Sequence, residues 1–186
     1  MKQSICIFLL AICVCSCVSL PLASYTVTGH NQQNNAIKNV LDTVNSRYST
    51  TITTNINLGT VQVRTVVLSG ITYQQTLAGS YYCGCKSDSR GYSDLVAYWN
   101  NLLLQTDTGG VSKYVGNVTE YFPSCPGAPT YTVTEYLHDV GSYPLNVTYP
   151  KGVYNPYLSF AEETYSSTVD TSAFNLQCCN NATPLC

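Results

Sequence analysis

The chain has 186 residues, 45% of them apolar and only 10% charged, with a formal net charge of −2. Its eight Lys and Arg form no cluster, which excludes the basic footprint of a nucleic-acid binder. The length suits one domain with a sizeable core.

Residues 1–19 read as a secretory signal. Lys2 supplies the positive start, Ile5 through Val18 form the apolar run, and Cys17 and Ser19 are the small residues before Leu20. The run is shorter than the roughly 20 residues that span a bilayer. Val14-Cys15-Ser16-Cys17 loosely resembles a lipoprotein signal but lacks its leucine. The mature chain, residues 20–186, is expected to be a single secreted domain without a transmembrane anchor, folded in an oxidising compartment. Losing Lys2 with the signal brings its net charge to −3. The C-terminus at Cys186 has no apolar tail of the kind a GPI anchor requires.

The first element is an expected amphipathic helix over Asn31–Ser49. Ile37, Val40, Leu41, Val44 and Tyr48 fall on one stripe at helical spacing, and Asn31 suits its N-cap. Strands follow. Thr50–Asn57 is rich in Thr and Ile, and Val61, Val63, Thr65 and Val67 alternate with Thr60, Gln62, Arg64 and Val66. Ser69-Gly70 marks a tight turn, and Ile71–Leu77 is the returning strand. A second helix is expected over Ser93–Gln105, with Leu95, Trp99, Leu102 and Leu103 on its apolar side. Val111–Phe122 and Thr130–Val140 read as strands around the Pro- and Gly-rich loop 123–129. They echo each other, Val118-Thr119-Glu120-Tyr121-Phe122 against Val133-Thr134-Glu135-Tyr136-Leu137, and suggest a hairpin. The fold class expected is α+β: an N-terminal amphipathic helix and a second short helix packed on a mostly antiparallel sheet, with a stapled C-terminal tail.

Ten cysteines are present, four of them in the signal. Cys83, Cys85, Cys125, Cys178, Cys179 and Cys186 remain, an even set that implies disulfides. Bridges within Cys83-Gly84-Cys85 or between Cys178 and Cys179 are strained. Every pairing that avoids both sends at least one bridge from the tail to Cys83, Cys85 or Cys125. A metal site is not expected, because neither His30 nor His138 lies at ligand spacing from a cysteine pair. No cofactor motif is present.

Catalytic groups are sparse. His138 adjoins Asp139, but no Gly-x-Ser-x-Gly elbow accompanies them. Glu120 and Glu135 hold equivalent places in the echoed strands and are the one candidate acid pair for hydrolysis; solvated faces are the simpler reading. Asn117-Val118-Thr119 and Asn146-Val147-Thr148 are glycosylation sequons, whereas Asn181-Ala182-Thr183 is followed by Pro184. Sixteen tyrosines beside four Phe and one Trp supply amphipathic contact area suited to recognition.

Residues 31–77 resemble the front half of a cystatin, on Ala36-Ile37, Val40-Leu41 and Val44-Asn45 followed by Val66-Val67-Leu68-Ser69-Gly70-Ile71-Thr72-Tyr73. The resemblance implies that Val67, Leu68, Ser69 and Gly70 form a loop inserted into papain-type cysteine proteases. Val66 stands where that family has glutamine, and its second-loop Pro-Trp is absent. The function expected is therefore a secreted, glycosylated binding protein without catalysis, whose partner is an extracellular protein such as a protease or a cell-surface receptor. Protease inhibition is the alternative, and hydrolysis by paired Glu the remaining one.

Overall fold

The computed structural model describes residues 23–31, 33–80, 82–108, 111–119, 130–138, 144–148 and 160–184. Residues 1–19, the expected signal, lie outside them.

Strands dominate. In chain order they are β1 (Tyr25–His30), β2 (Ala36–Asp42), β3 (Arg47–Ile56), β4 (Gly59–Val67), β5 (Thr72–Ala78) and β6 (Tyr82–Asp88), then helix α1 (Tyr92–Asn100). The second run is β7 (Leu103–Thr108), β8 (Val111–Thr119), β9 (Thr130–His138), β10 (Pro144–Thr148) and β11 (Phe160–Ser166). Two short 3₁₀ helices, Thr171–Phe174 and Cys179–Asn181, and the two-residue β12 (Thr183–Pro184) complete the chain. All twelve strands join one sheet in the order β12-β6-β5-β4-β3-β2-β1-β11-β10-β9-β8-β7. Every pairing is antiparallel except β12 with β6.

The sheet is thus two meanders joined where β11 pairs with β1. The chain must cross from β6, near one edge, to β7 at the other. Ten strand spacings would separate them by about 48 Å in a flat sheet. The connection 89–102, with α1 inside it, reaches at most about 37 Å. The sheet must therefore curl toward α1. Gly116 on β8 lies so close to the Asn101 carbonyl that a Cβ there would clash.

The expected α+β class is corrected to a mostly β fold, because the helix over Asn31–Ser49 does not exist. That segment is β2, a turn at 43–46, and the start of β3. Strand periodicity was hidden because both faces of β2 are buried: Ile37 and Leu41 point to one face, Val40 to the other. Val44, a stripe position, is 86% exposed in the turn. Asn-rich and β-branched composition also opposes a helix. Asn31 does cap, but it caps a hairpin: its Oδ1 accepts the backbone N–H groups of Gln33 at 3.0 Å and Asn35 at 2.9 Å. The second helix is present but shorter, ending at Asn100, with Leu103 already in β7. Its first turn is closed by Asp94, whose carboxylate accepts the Gly91 N–H at 2.8 Å.

One sheet face packs on α1. Tyr25, Leu41, Tyr48, Val67 and Thr72 form one cross-strand row. Leu95 packs on Val67, and Trp99 meets Tyr48 edge-on at 5.5 Å. Burial raises the Tyr92 hydroxyl above the usual phenol range, helped by the Asp42 charge.

The opposite face is covered by the C-terminal tail, which runs across the strands as a strap. Thr26 on β1 donates to the Thr168 carbonyl at 2.7 Å, and Lys38 on β2 pairs with Asp170. Ser49 on β3 donates to the Ala173 carbonyl at 3.0 Å, and Arg64 on β4 to the Asn175 carbonyl at 2.9 Å. Gln75 on β5 donates to the Gln177 carbonyl. On β6, Cys83 bonds Cys178 and Cys85 bonds Cys179. Each of the six strands holds the strap at one step. Ala173 and Phe174 bury against Val40 and Val66, and Arg47 stacks over the Phe174 ring at 4.1 Å.

Candidate binding surface

The β1–β2, β3–β4 and β5–β6 turns lie at one end of the sheet, because Ala36 pairs with Thr53, Ile56 with Gly59 and Ala78 with Tyr82. The last two turns are tied: the Gly79 N–H donates to the Thr60 carbonyl at 3.3 Å. Gly59 takes φ +127°, a conformation only glycine holds without strain, and so lets the turn close after Leu58.

This end carries apolar side chains in water. Leu58 is 96% exposed, Tyr82 58% and Ile56 49%. The Tyr82 ring lies across Gly84, where a Cβ would come within 2.5 Å of its hydroxyl. No charged residue occurs at 31–37, 50–63 or 71–85. The rim is Asn, Gln, Ser and Thr, and Thr60 Oγ1 donates to Asn55 Oδ1 at 3.1 Å. Charges gather elsewhere. Burial pushes the Asp42 carboxyl up, but hydrogen bonds from Asn45 and Arg47 outweigh it and hold it below the usual carboxylate range. The hydrogen bond from Lys38, then that from Ser172, holds Asp170 down at about 2.

The residues singled out from the sequence fall in other places. Val67 is buried and Leu68 half-buried, and only Ser69 and Gly70 are exposed. That turn is locked from behind: the Tyr92 N–H donates to the Leu68 carbonyl at 2.7 Å, and Gly91 packs against the Ser69 carbonyl. Asn117 lies on β8 opposite Thr132, and Asn146 on β10 opposite Tyr136 and Ala161. The strands that carry the echo pair as β8 and β9, but out of step with it: Val118 lies opposite Tyr131, and Val133 opposite Gly116. Glu135 pairs with Tyr114 on β8, while Glu120, Asp139, Cys125 and Cys186 lie outside the described residues. His30 is bonded to Glu163 at 2.7 Å. Among the described residues no group of three or more His, Cys, Asp or Glu is disposed to hold a metal ion, and no helix is long and apolar enough to cross a membrane.

Tyr82 belongs to the tyrosines that the sequence offers for recognition, whereas Ile56 and Leu58 are not singled out by it. The signal that marks them is a gap: two charge-free runs, one with Leu58 placed directly before a turn glycine. Compared with known proteins, the chain matches no family model, and no curated protein matches it in sequence.

Proposed function

We propose that the protein is a secreted, glycosylated binding protein that acts without catalysis, and that the hairpin end bearing Ile56, Leu58 and Tyr82 is its contact surface. The observation that carries the reading is the exposure of these three side chains on two hairpins whose segments 50–63 and 71–85 hold no charged residue. The partner is an extracellular protein with an apolar, weakly charged patch. Interface centres are depleted of charge and enriched in aromatic residues, and these two hairpins lack charge and expose Tyr82. Burying Leu58 and Ile56 against such a patch contributes about 1.5–3 kcal/mol each. Asn117 and Asn146, on strands of the other meander, carry the glycans in this reading.

The test is saturable binding of the purified protein to an array of purified receptor and protease ectodomains, with Leu58→Asp beside the wild type. A specific partner lost by at least about ten-fold in Leu58→Asp supports the reading. No saturable partner, or a partner indifferent to the substitution, overturns it. A dimer in sedimentation equilibrium that Leu58→Asp dissolves would assign the surface to a second copy instead. Papain inhibition at micromolar protein would move the site to the Val67–Gly70 turn, which in this reading stays inert because Val67 and Leu68 face inward.

A further inference from the structure

The four described cysteines form one cluster where the strap meets β6. Two bridges lie side by side between Cys83-Gly84-Cys85 and Cys178-Cys179, with Cα separations of 6.1 and 5.2 Å. Their surroundings differ. Cys83 and Cys178 are both exposed, whereas Cys85 and Cys179 are half-buried. Cys178 holds φ +49°, a left-handed conformation that side-chain-bearing residues rarely adopt. Its backbone is held there by the neighbouring anchors, and opening its bridge removes one of them.

Beneath the cluster sits Gln75, with no exposed surface. Its Nε2 lies 4.0 Å from the Cys83 sulfur, 4.0 Å from the Cys178 sulfur and 3.8 Å from the Cys179 sulfur. Its Oε1 is buried without a hydrogen-bond partner. A thiol newly formed at Cys83, Cys178 or Cys179 would thus have an amide N–H within reach as a thiolate, and an unpartnered carbonyl oxygen nearby as a protonated thiol, so the difference between the bridges rests on exposure. Neither sulfur of an intact bridge can donate to that oxygen.

We propose that Cys83–Cys178 is a thiol-exchange site, opened selectively by an external dithiol while Cys85–Cys179 stays closed. A thiolate of the dithiol attacks the sulfur of Cys178, an exposed residue. The Cys178–Cys83 bond breaks, a mixed disulfide forms on Cys178, and Cys83 leaves as a thiolate that takes a proton from water. The second thiol of the reagent then attacks the mixed disulfide, which frees Cys178 and leaves the reagent as its cyclic disulfide. One bridge is reduced and one dithiol oxidised. The strap keeps its last covalent anchor through Cys179, so opening loosens it without releasing it. This inference does not depend on the binding reading above.

The test uses the intact native protein. It is treated with graded dithiothreitol, quenched with an alkylating reagent, and mapped by peptide mass. Cys83 and Cys178 should become alkylated about ten-fold faster than Cys85 and Cys179. Equal rates, or earlier labelling of Cys85 and Cys179, overturn the proposal. A Cys83→Ser/Cys178→Ser variant supplies a second measurement. Its remaining bridge should resist the dose that opens the wild type, and opening at that same dose also overturns it.

Discussion

Removing the two bridges singly and together should give strongly non-additive losses of stability. The bridges span 95 and 94 residues, and their ends lie close in the chain, Cys178 next to Cys179 and Cys83 one residue from Cys85. Closing a loop of this size restricts the unfolded chain by about 4.7 kcal/mol. Once one bridge exists, the other closes only a ring of about five residues, which the same relation values at about 2 kcal/mol. Cys83→Ser/Cys178→Ser should therefore cost about 2 kcal/mol, and Cys85→Ser/Cys179→Ser about the same. The quadruple variant should cost about 7 kcal/mol, so the two pairs are coupled by about 3 kcal/mol. Urea unfolding followed by circular dichroism measures all four proteins. A loss above about 4 kcal/mol for either single-bridge variant would refute the reasoning, since the surviving bridge should retain nearly all of the long-loop restriction. A quadruple variant equal to the sum of the two would refute it as well.

Phe174→Ala should cost about 4 kcal/mol, because it empties a buried site between Val40 and Val66 and removes the ring under Arg47; urea unfolding with the bridges intact reads it, and a loss under about 1 kcal/mol would show that the strap packs weakly. Asp170 has a folded-state pKa of about 2 against an ordinary 3.8, so its contribution is fully present above that ordinary value and is lost as pH falls from about 4 to about 2. Its side chain is 32% exposed and that of Lys38 38%, so solvent screening reduces the effect to about 1 kcal/mol; Asp170→Asn should flatten that part of the stability–pH curve, and an unchanged slope would reject the assignment. Leu58→Asp should leave the stability of the isolated protein unchanged within about 0.5 kcal/mol in urea unfolding, because that side chain is 96% exposed.

The sequence spoke clearly wherever one face of a strand meets water or a turn residue is obligatory. Alternation at Val61–Val67 located β4, Ser69-Gly70 located the turn, and the Val-Thr-Glu-Tyr echo located the β8–β9 pair. It misled at 31–49, where α1 covers one face of β2 and the strap covers the other. Ile37, Val40 and Leu41 then imitate a helical stripe, because an i, i+3, i+4 pattern is what a strand covered on both faces shows when one position on each face, Lys38 and Asn39, is polar. Asn39 is buried and takes a hydrogen bond from the Tyr48 hydroxyl at 3.2 Å, a partner set by strand pairing and absent from local sequence. β1 and β6 were missed for a related reason. Each has one partner nearby, β2 for one and β5 for the other, but its second partner lies far along the chain, β11 for one and β12 in the stapled tail for the other, and no local period reports that. The tail's attachment was legible from cysteine arithmetic, but its route was not, since Ser49, Arg64 and Gln75 look like ordinary solvent-facing strand residues until the strap is laid over them.

That route bears on the candidate surface. Ile56 and Leu58 stand on one hairpin and Tyr82 on the next, so a partner sees a single surface only if β3, β4, β5 and β6 hold a fixed relative twist. Two-stranded ribbons twist freely, and a wide sheet with one bare face gives its hairpins little restraint. The strap supplies that restraint from one face of the sheet, touching β3 at Ser49, β4 at Arg64, β5 at Gln75 and β6 at both cysteines. Apolar groups on a frame fixed in this way lose little further freedom on binding, so more of their burial appears as affinity. Loosening the strap at Cys83, directly beside Tyr82, therefore acts on the hairpin nearest the exposed phenol while leaving the Leu58 turn in place.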